Sequence, residues 1–260
     1  MLPILTSPAA SSPAPAPSTA PNSLRLLSLS LSPLPARSSL VELGQTKVLA
    51  TLHGPHRGDP ELGFSDEGRV NVFFKFAAGA AREPRLTAAG APAAAPAARM
   101  DPATEVPLAA SVREALLPSL LSPFLKKQQL DLHLLCLCDD AGLLPASLLA
   151  CSLLLAAAGF PLTDLTASIQ VAVHASPPLY VLDPTAAEAA AAACVCTAAY
   201  LPSLGEFSHF EADGPLPAAA EAKVRRLVAE AAGKQGEMLR ACLEGRAGGG
   251  DRRASFDGGE

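Results

Sequence analysis

The sequence predicts a single globular α/β domain. Three observations carry this: short β-prone runs that alternate apolar and polar residues, longer segments with helical apolar patterning between them, and a composition that is 49% hydrophobic over 260 residues, enough for a sizeable core. Trp is absent and Tyr occurs twice, so aliphatic side chains must supply the core volume.

Residues 1–36, rich in Pro, Ser and Ala, read as a disordered leader, and the folded domain as 37–245. The first segment has no basic stretch and is cut by Pro3, so neither a secretory signal nor a transit peptide is expected. In SSLVELGQTKVLATLHGP, 38–55, two β-prone runs flank Gly44-Gln45, a two-residue link whose Gly supplies the positive φ of a type II′ hairpin. After a polar loop, Arg69 to Phe76 alternates through Val70, Val72 and Phe74 as a third strand. The Ala/Pro-rich stretch 86–100 reads as a low-complexity insertion. Beyond Thr104, residues Leu108, Val112, Ala115 and Leu116 recur at helical spacing, and Pro118 limits that helix.

Leu130 to Cys138 places His133, Leu135 and Leu137 on one face and Leu132, Leu134, Cys136 and Cys138 on the other. With both faces mostly apolar, the strand should be central in its sheet. From Leu143 to Phe160 almost no polar side chain occurs; Pro145 suits a first helical turn and no basic flank follows, which favours a buried core helix ended by Gly159 over a membrane span. Strands follow at Ala167–Ala175, at LYVLDPT after Pro177-Pro178, and at CVCTAAY, 194–200. The last helix spans about 217–243 on a stripe of Val224, Leu227, Val228, Ala231, Met238 and Cys242, with Gly245 as a stop and 246–260 as a flexible tail.

A net charge of −5 argues against a whole-chain nucleic-acid footprint, so any RNA contact must be local or shared with partners. No phosphate-binding loop, dinucleotide fingerprint, nucleophile elbow or H-E-x-x-H motif occurs. Six cysteines suit a reducing compartment; Cys136/Cys138 and Cys194/Cys196 read as buried thiols rather than a zinc site, and no metal or cofactor is expected. His53 and His56 around Gly54-Pro55 read as an exposed turn, and Arg252-Arg253-Ala254-Ser255 has the pattern of a basophilic phosphorylation site. Lys75, Arg82, Arg85 and Arg99 are candidates for RNA phosphates, with a plain solvated face as the equal alternative.

Four stretches together resemble the RNase PH family, and more closely the RNase PH-type ring subunits of the eukaryotic RNA exosome. They are 38–55, GRVNVFFKF at 68–76, the segment 129–165, and YVLDPTAAEAAAAACVCTAAY at 180–200. The most specific resembles the family's Gly-Ser-x-x-x-x-x-Gly-x-Thr-x-Val hairpin, with Ser38 where Gly is usual. The resemblance implies an RNase PH-like domain (ribosomal protein S5 domain 2-like), mixed sheets packed with helices. Its implied setting is a hetero-hexameric ring of RNase PH-type subunits with S1/KH cap subunits, an associated hydrolytic exoribonuclease, RNA in the central channel and no membrane. The implied location is nucleus and nucleolus, also cytoplasm.

In active members inorganic phosphate cuts RNA from its 3′ end. An Arg after an Asp-Gly-Gly-Thr turn helps hold the phosphate, and two acidic residues six positions apart assist. Charge that grows at a held anion must be offset by positive groups. Here the turn is Asp140-Ala141-Gly142-Leu143, and the Arg position falls on Leu144. Asp183 matches the first acid, but Ala189 stands at the second with Glu188 beside it, and a further phosphate-lining Arg, three before the Glu that Glu105 resembles, is Pro102. The expectation is a degenerate, non-catalytic subunit supporting 3′-to-5′ RNA processing, including rRNA processing and mRNA decay. The alternative is an active phosphate-dependent exoribonuclease using Asp183 and Glu188. The Leu-Asp-Pro-Thr turn is expected to keep Asp183 for structure.

Overall fold

A computed structural model describes residues 24–31, 37–57, 68–77, 102–120, 128–175, 178–247 and 254–256. In order these form β1 (Leu27–Leu31), β2 (Ser38–Leu43), β3 (Thr46–Arg57), β4 (Arg69–Phe76), α1 (Pro102–Leu116), β5 (Gln128–Cys138) and α2 (Leu143–Ala157). There follow β6 (Ala167–Ala175), β7 (Pro178–Leu182), α3 (Ala186–Ala191), β8 (Cys194–Leu201), β9 (Glu206–Asp213), α4 (Ala218–Ala247) and β10 (Ala254–Phe256). Two sheets result: six strands in the order β10-β1-β2-β3-β5-β4, and four in the order β7-β6-β8-β9.

The first sheet is mixed. β4 and β5 pair in parallel, joined through α1, while the pairs from β10 to β5 are antiparallel; a parallel pair needs such a crossover because a tight hairpin cannot reverse the chain twice. Helix α2 lies against β2 and β3 of this sheet and against β6 and β8 of the other. Every residue from Leu143 to Leu155 is buried, which accounts for a sequence with no polar stripe: a helix apolar all round is stable only when it is covered all round. Gly159 takes φ +82 just past its end, the left-handed closure expected of that position. Helix α1 packs on β4 and α2, and α4 on β6, β8 and β1.

The first hairpin forms as predicted, with Leu43 opposite Thr46 and Gly44 at φ +59. Its Ser39 hydroxyl, fully buried, donates 2.8 Å to the Ala150 carbonyl of α2, so the hairpin is tied to the core helix. β5 does lie between two strands, but only one of its faces is covered; Leu137 on the other is 38% exposed.

Several boundaries differ from the sequence expectation. The sequence predicts a disordered leader to residue 36, yet β1 pairs with β2 along Leu27–Leu31, and Leu27 and Leu29 are buried. A Leu/Ser alternation with strand period sits inside the Ser-rich composition and places every second side chain in the core. The tail from 246 was expected to be free of structure, yet α4 runs through Gly245 to Ala247 and β10 pairs with β1. One Gly costs a helix about 1 kcal/mol, too little to end a helix packed along its length. β3 continues through His53 and His56 with a register shift at Gly54-Pro55, a bulge where a turn was expected. β9 was not foreseen. The insertion 86–100 lies outside the described residues. No helix among the described residues is long and apolar enough to cross a membrane.

Leu29→Ala is expected to destabilise the protein by about 2–5 kcal/mol in urea unfolding, the cost of truncating a buried leucine. A change within about 0.5 kcal/mol, typical of an exposed site, would exclude β1 from the fold.

Candidate functional site

The turn between β5 and α2 is the element on which the sequence expectations converge. Ala141 and Gly142 both take left-handed conformations, φ +58 and +76, and Gly142 is the first cap residue of α2. Two successive positive φ values reverse the chain sharply, and a side chain at the second is doubly excluded: a Cβ on Gly142 would come within 2.7 Å of the Arg25 guanidinium. Thr46, from the hairpin motif, clamps the turn. Its hydroxyl donates to the Ala141 carbonyl at 2.5 Å and accepts from the Asp140 amide at 3.0 Å.

Arg25 is the residue that the sequence reading missed. One of its terminal nitrogens donates to the Asp140 backbone carbonyl at 3.0 Å and to the Asp140 carboxylate at 3.3 Å; the other donates to the Ala141 carbonyl at 3.3 Å. The pair is withdrawn from solvent, with side-chain exposures of 7% and 12%. The other Asp140 oxygen accepts from the Ala186 amide at 3.1 Å, which joins the turn to the start of α3. The only sequence signal for Arg25 was its place just ahead of the Leu/Ser alternation.

Asp183 sits nearby in a left-handed conformation, φ +46, that Asp tolerates better than most residues. It is 1% exposed, and both carboxylate oxygens are inaccessible to solvent. Burial raises its pKa to about 6; the Arg25 charge and the backbone amides of Gln170 and Arg25 oppose that rise. Glu188 is engaged at the start of α3. It completes a capping box, its carboxylate accepting from the Thr185 amide at 2.9 Å and hydroxyl at 3.0 Å while Thr185 caps the Glu188 amide. Ala189 lies one residue further along α3, half-buried.

Leu144 is 8% exposed and belongs to the main apolar core, next to Leu143 and Leu148. Of Pro102 the structure gives only its place at the start of α1. Lys75 is paired with Glu105 at 2.5 Å, and Glu105 also accepts from the Phe76 amide, fastening α1 to the end of β4. Arg82, Arg85 and Arg99 lie outside the described residues. The two Cys-x-Cys pairs sit in different sheets, and among the described residues no three His, Cys, Asp or Glu side chains group as metal ligands. Burial pushes the Cys136, Cys151 and Cys196 thiols up to about 12, so they are protonated and poor ligands at neutral pH.

Arg25→Met is expected to cost about 3–5 kcal/mol, because it leaves Asp140 buried without its counter-charge. Asp183 binds its proton more tightly folded than unfolded, so its contribution is favourable at low pH and is lost as pH rises from about 4, its ordinary value, to about 6. Urea unfolding at pH 4.5 and 7.5 should therefore show Asp183→Asn gaining on wild type by on the order of 2 kcal/mol at the higher pH. Parallel pH dependences would mean that Asp183 titrates normally.

Residues 25–161 match the family model for the 3′ exoribonuclease family, domain 1 (RNase PH). The chain is 31% identical to the human exosome complex component MTR3 over 182 residues, 65% of this chain and 62% of that protein, so the match spans less than two thirds of that relative's length. Its fold is that of the crystal structure of rice (Oryza sativa) Rrp46, at a TM-score of 0.74 and 20% identity over 87% of this chain and 98% of that one. A chain of the archaeal exosome core superposes with a TM-score of 0.64 at 17% identity, over 85% of this chain and 89% of that one. A positive-φ Asp-Ala-Gly turn clamped by the hairpin threonine, a mixed sheet and an all-round buried helix thus stand in a chain that belongs to the RNase PH family.

Proposed function

We propose that this protein is a non-catalytic structural subunit of an RNA exosome ring, supporting 3′-to-5′ RNA processing and decay, rRNA processing and mRNA turnover included, by scaffolding and RNA threading. One observation carries the reading: where phosphate attack needs a held cation, Leu144 is buried in the core, and the cation that does reach the turn, Arg25, is locked onto Asp140. A guanidinium already neutralised by a buried carboxylate has little charge left for an incoming phosphate. Asp183 and Glu188 support the same reading, the first with no accessible oxygen and the second committed to its helix cap. The partners in this proposal are other RNase PH-type subunits in a hetero-hexameric ring, S1/KH cap subunits, an associated hydrolytic exoribonuclease and RNA in the channel. The proposed location is nucleus and nucleolus, also cytoplasm.

Membership of a 3′ exoribonuclease family keeps the active reading in contention. The test is phosphate-dependent release of nucleoside diphosphates from RNA, by the full chain alone and co-purified with its ring partners. We expect none from the chain alone, and ring activity unchanged by Asp183→Ala. Robust release that Asp183→Ala abolishes would sink the scaffold reading; recovery of the protein without other exosome subunits would remove the ring.

A further inference from the structure

The sequence Arg252-Arg253-Ala254-Ser255-Phe256 has no duty in the site described above, yet the fold gives its serine a definite position. Ala254–Phe256 form β10, the outermost strand of the six-stranded sheet. It runs antiparallel to β1, with Ala254 opposite Leu29, Ser255 opposite Ser28 and Phe256 opposite Leu27. The strand is three residues long and has a neighbour on one side, so few ladder bonds are lost when it opens. Once open it is an extended segment, the form in which a protein kinase takes its acceptor. Two arginines placed two and three residues before a serine, with an apolar residue just after it, suit a kinase whose acidic cleft binds guanidinium groups. Arg252 and Arg253 lie outside the described residues, and their part in recognition is a matter of sequence alone.

Register also sets what a phosphate would meet there. Positions 255, 28 and 42 stand in one row across β10, β1 and β2, and Lys47 of β3 comes next in it. The cation of this row is not free: Lys47 pairs with Glu42 at 2.9 Å. The other two positions of β10 face Leu27 and Leu29, both buried. A phosphoserine carries about −1.5 to −2 charges at pH 7, and it disrupts where the surroundings are apolar or acidic. Docked against β1 it has an occupied lysine and an apolar strand beside it; on a released strand it has water.

We propose that Ser255 is a phosphorylation site for an arginine-directed serine kinase, and that the modification releases β10 from β1. The Ser255 hydroxyl oxygen bonds to the γ-phosphorus of ATP, the bond from that phosphorus to the bridging β-phosphate oxygen breaks, the hydroxyl proton is lost and ADP leaves. Release turns β1 into the edge of the sheet, with a row of backbone donors and acceptors open to another strand. This modification does not depend on the ring role proposed above.

The test treats the full-length chain with ATP, magnesium and the catalytic subunit of cyclic-AMP-dependent protein kinase as the arginine-directed probe, and reads the modified residues by tandem mass spectrometry. Ser255 is the expected site. Ser255→Ala should abolish its label, and Arg252→Ala combined with Arg253→Ala should slow labelling about 10-fold or more, through loss of charge-assisted hydrogen bonds. Hydrogen exchange on the phosphorylated protein should show protection lost over residues 27–31 and kept over 143–155 of α2. A full-length chain that takes no phosphate on Ser255, or takes it at other serines with Ser255 bare, would overturn the site. Phosphate on Ser255 with protection over 27–31 unchanged would overturn the release. Equal loss of protection in unmodified Ser255→Ala would trace the opening to the missing hydroxyl and remove the phosphate from it.

Discussion

The architecture depends on α2 being covered on every side. A helix with no polar face has no stable position at a surface, so two sheets must close over it, and each sheet is tied to it by a specific polar contact. From the first, the Ser39 hydroxyl reaches the Ala150 carbonyl; on the approach to the second, the Thr166 amide reaches the Ser152 hydroxyl at 2.9 Å. Both satisfy groups that would otherwise be buried unpaired, a cost of about 1–3 kcal/mol each. The start of such a helix is a harder problem, since its free amides and the turn before it are also enclosed. The Asp-Ala-Gly turn is the solution, held by Thr46 from the hairpin and by Arg25 from the chain ahead of β1.

That arrangement bears on charge. An anion site at a helix start works when cations exceed anions there and when solvent or substrate can reach them. Around this turn Arg25 faces two buried carboxylates, Asp140 directly and Asp183 through its field. The balance is acidic and closed. A leucine at 144 fits this balance, because its position contributes to the core cluster instead of leaving a third ionised group to be compensated.

How much of this could be read from the sequence follows from what each residue does locally. α2 was legible because burial on all sides forces an unbroken apolar run, and the first hairpin because Gly44 marks a two-residue turn. β1 was not, since its Leu/Ser alternation looks like low-complexity sequence until a partner strand is supplied. β9 was hidden for another reason: Glu206–Asp213 is an edge strand in which no residue is fully buried, so its sequence carries no strong alternation. Arg25 was invisible as a site residue because its partners, Asp140 and Ala141, lie more than a hundred residues away in sequence.

The motifs that reveal the family are therefore not the ones that report activity. Ser39, Thr46, Asp140 and Gly142 are each fixed by a structural duty: a bond to α2, a clamp on the turn, an ion pair, a positive φ under an arginine. Any chain with this fold has reason to keep them whether or not it handles phosphate. Position 189, half-buried on a short helix already capped by Thr185 and Glu188, has no such duty, and position 144 asks only for something that packs. Where architecture makes no demand, chemistry alone would hold a carboxylate or an arginine in place. Alanine and leucine at these two positions, beside an intact framework, fit the non-catalytic role proposed above.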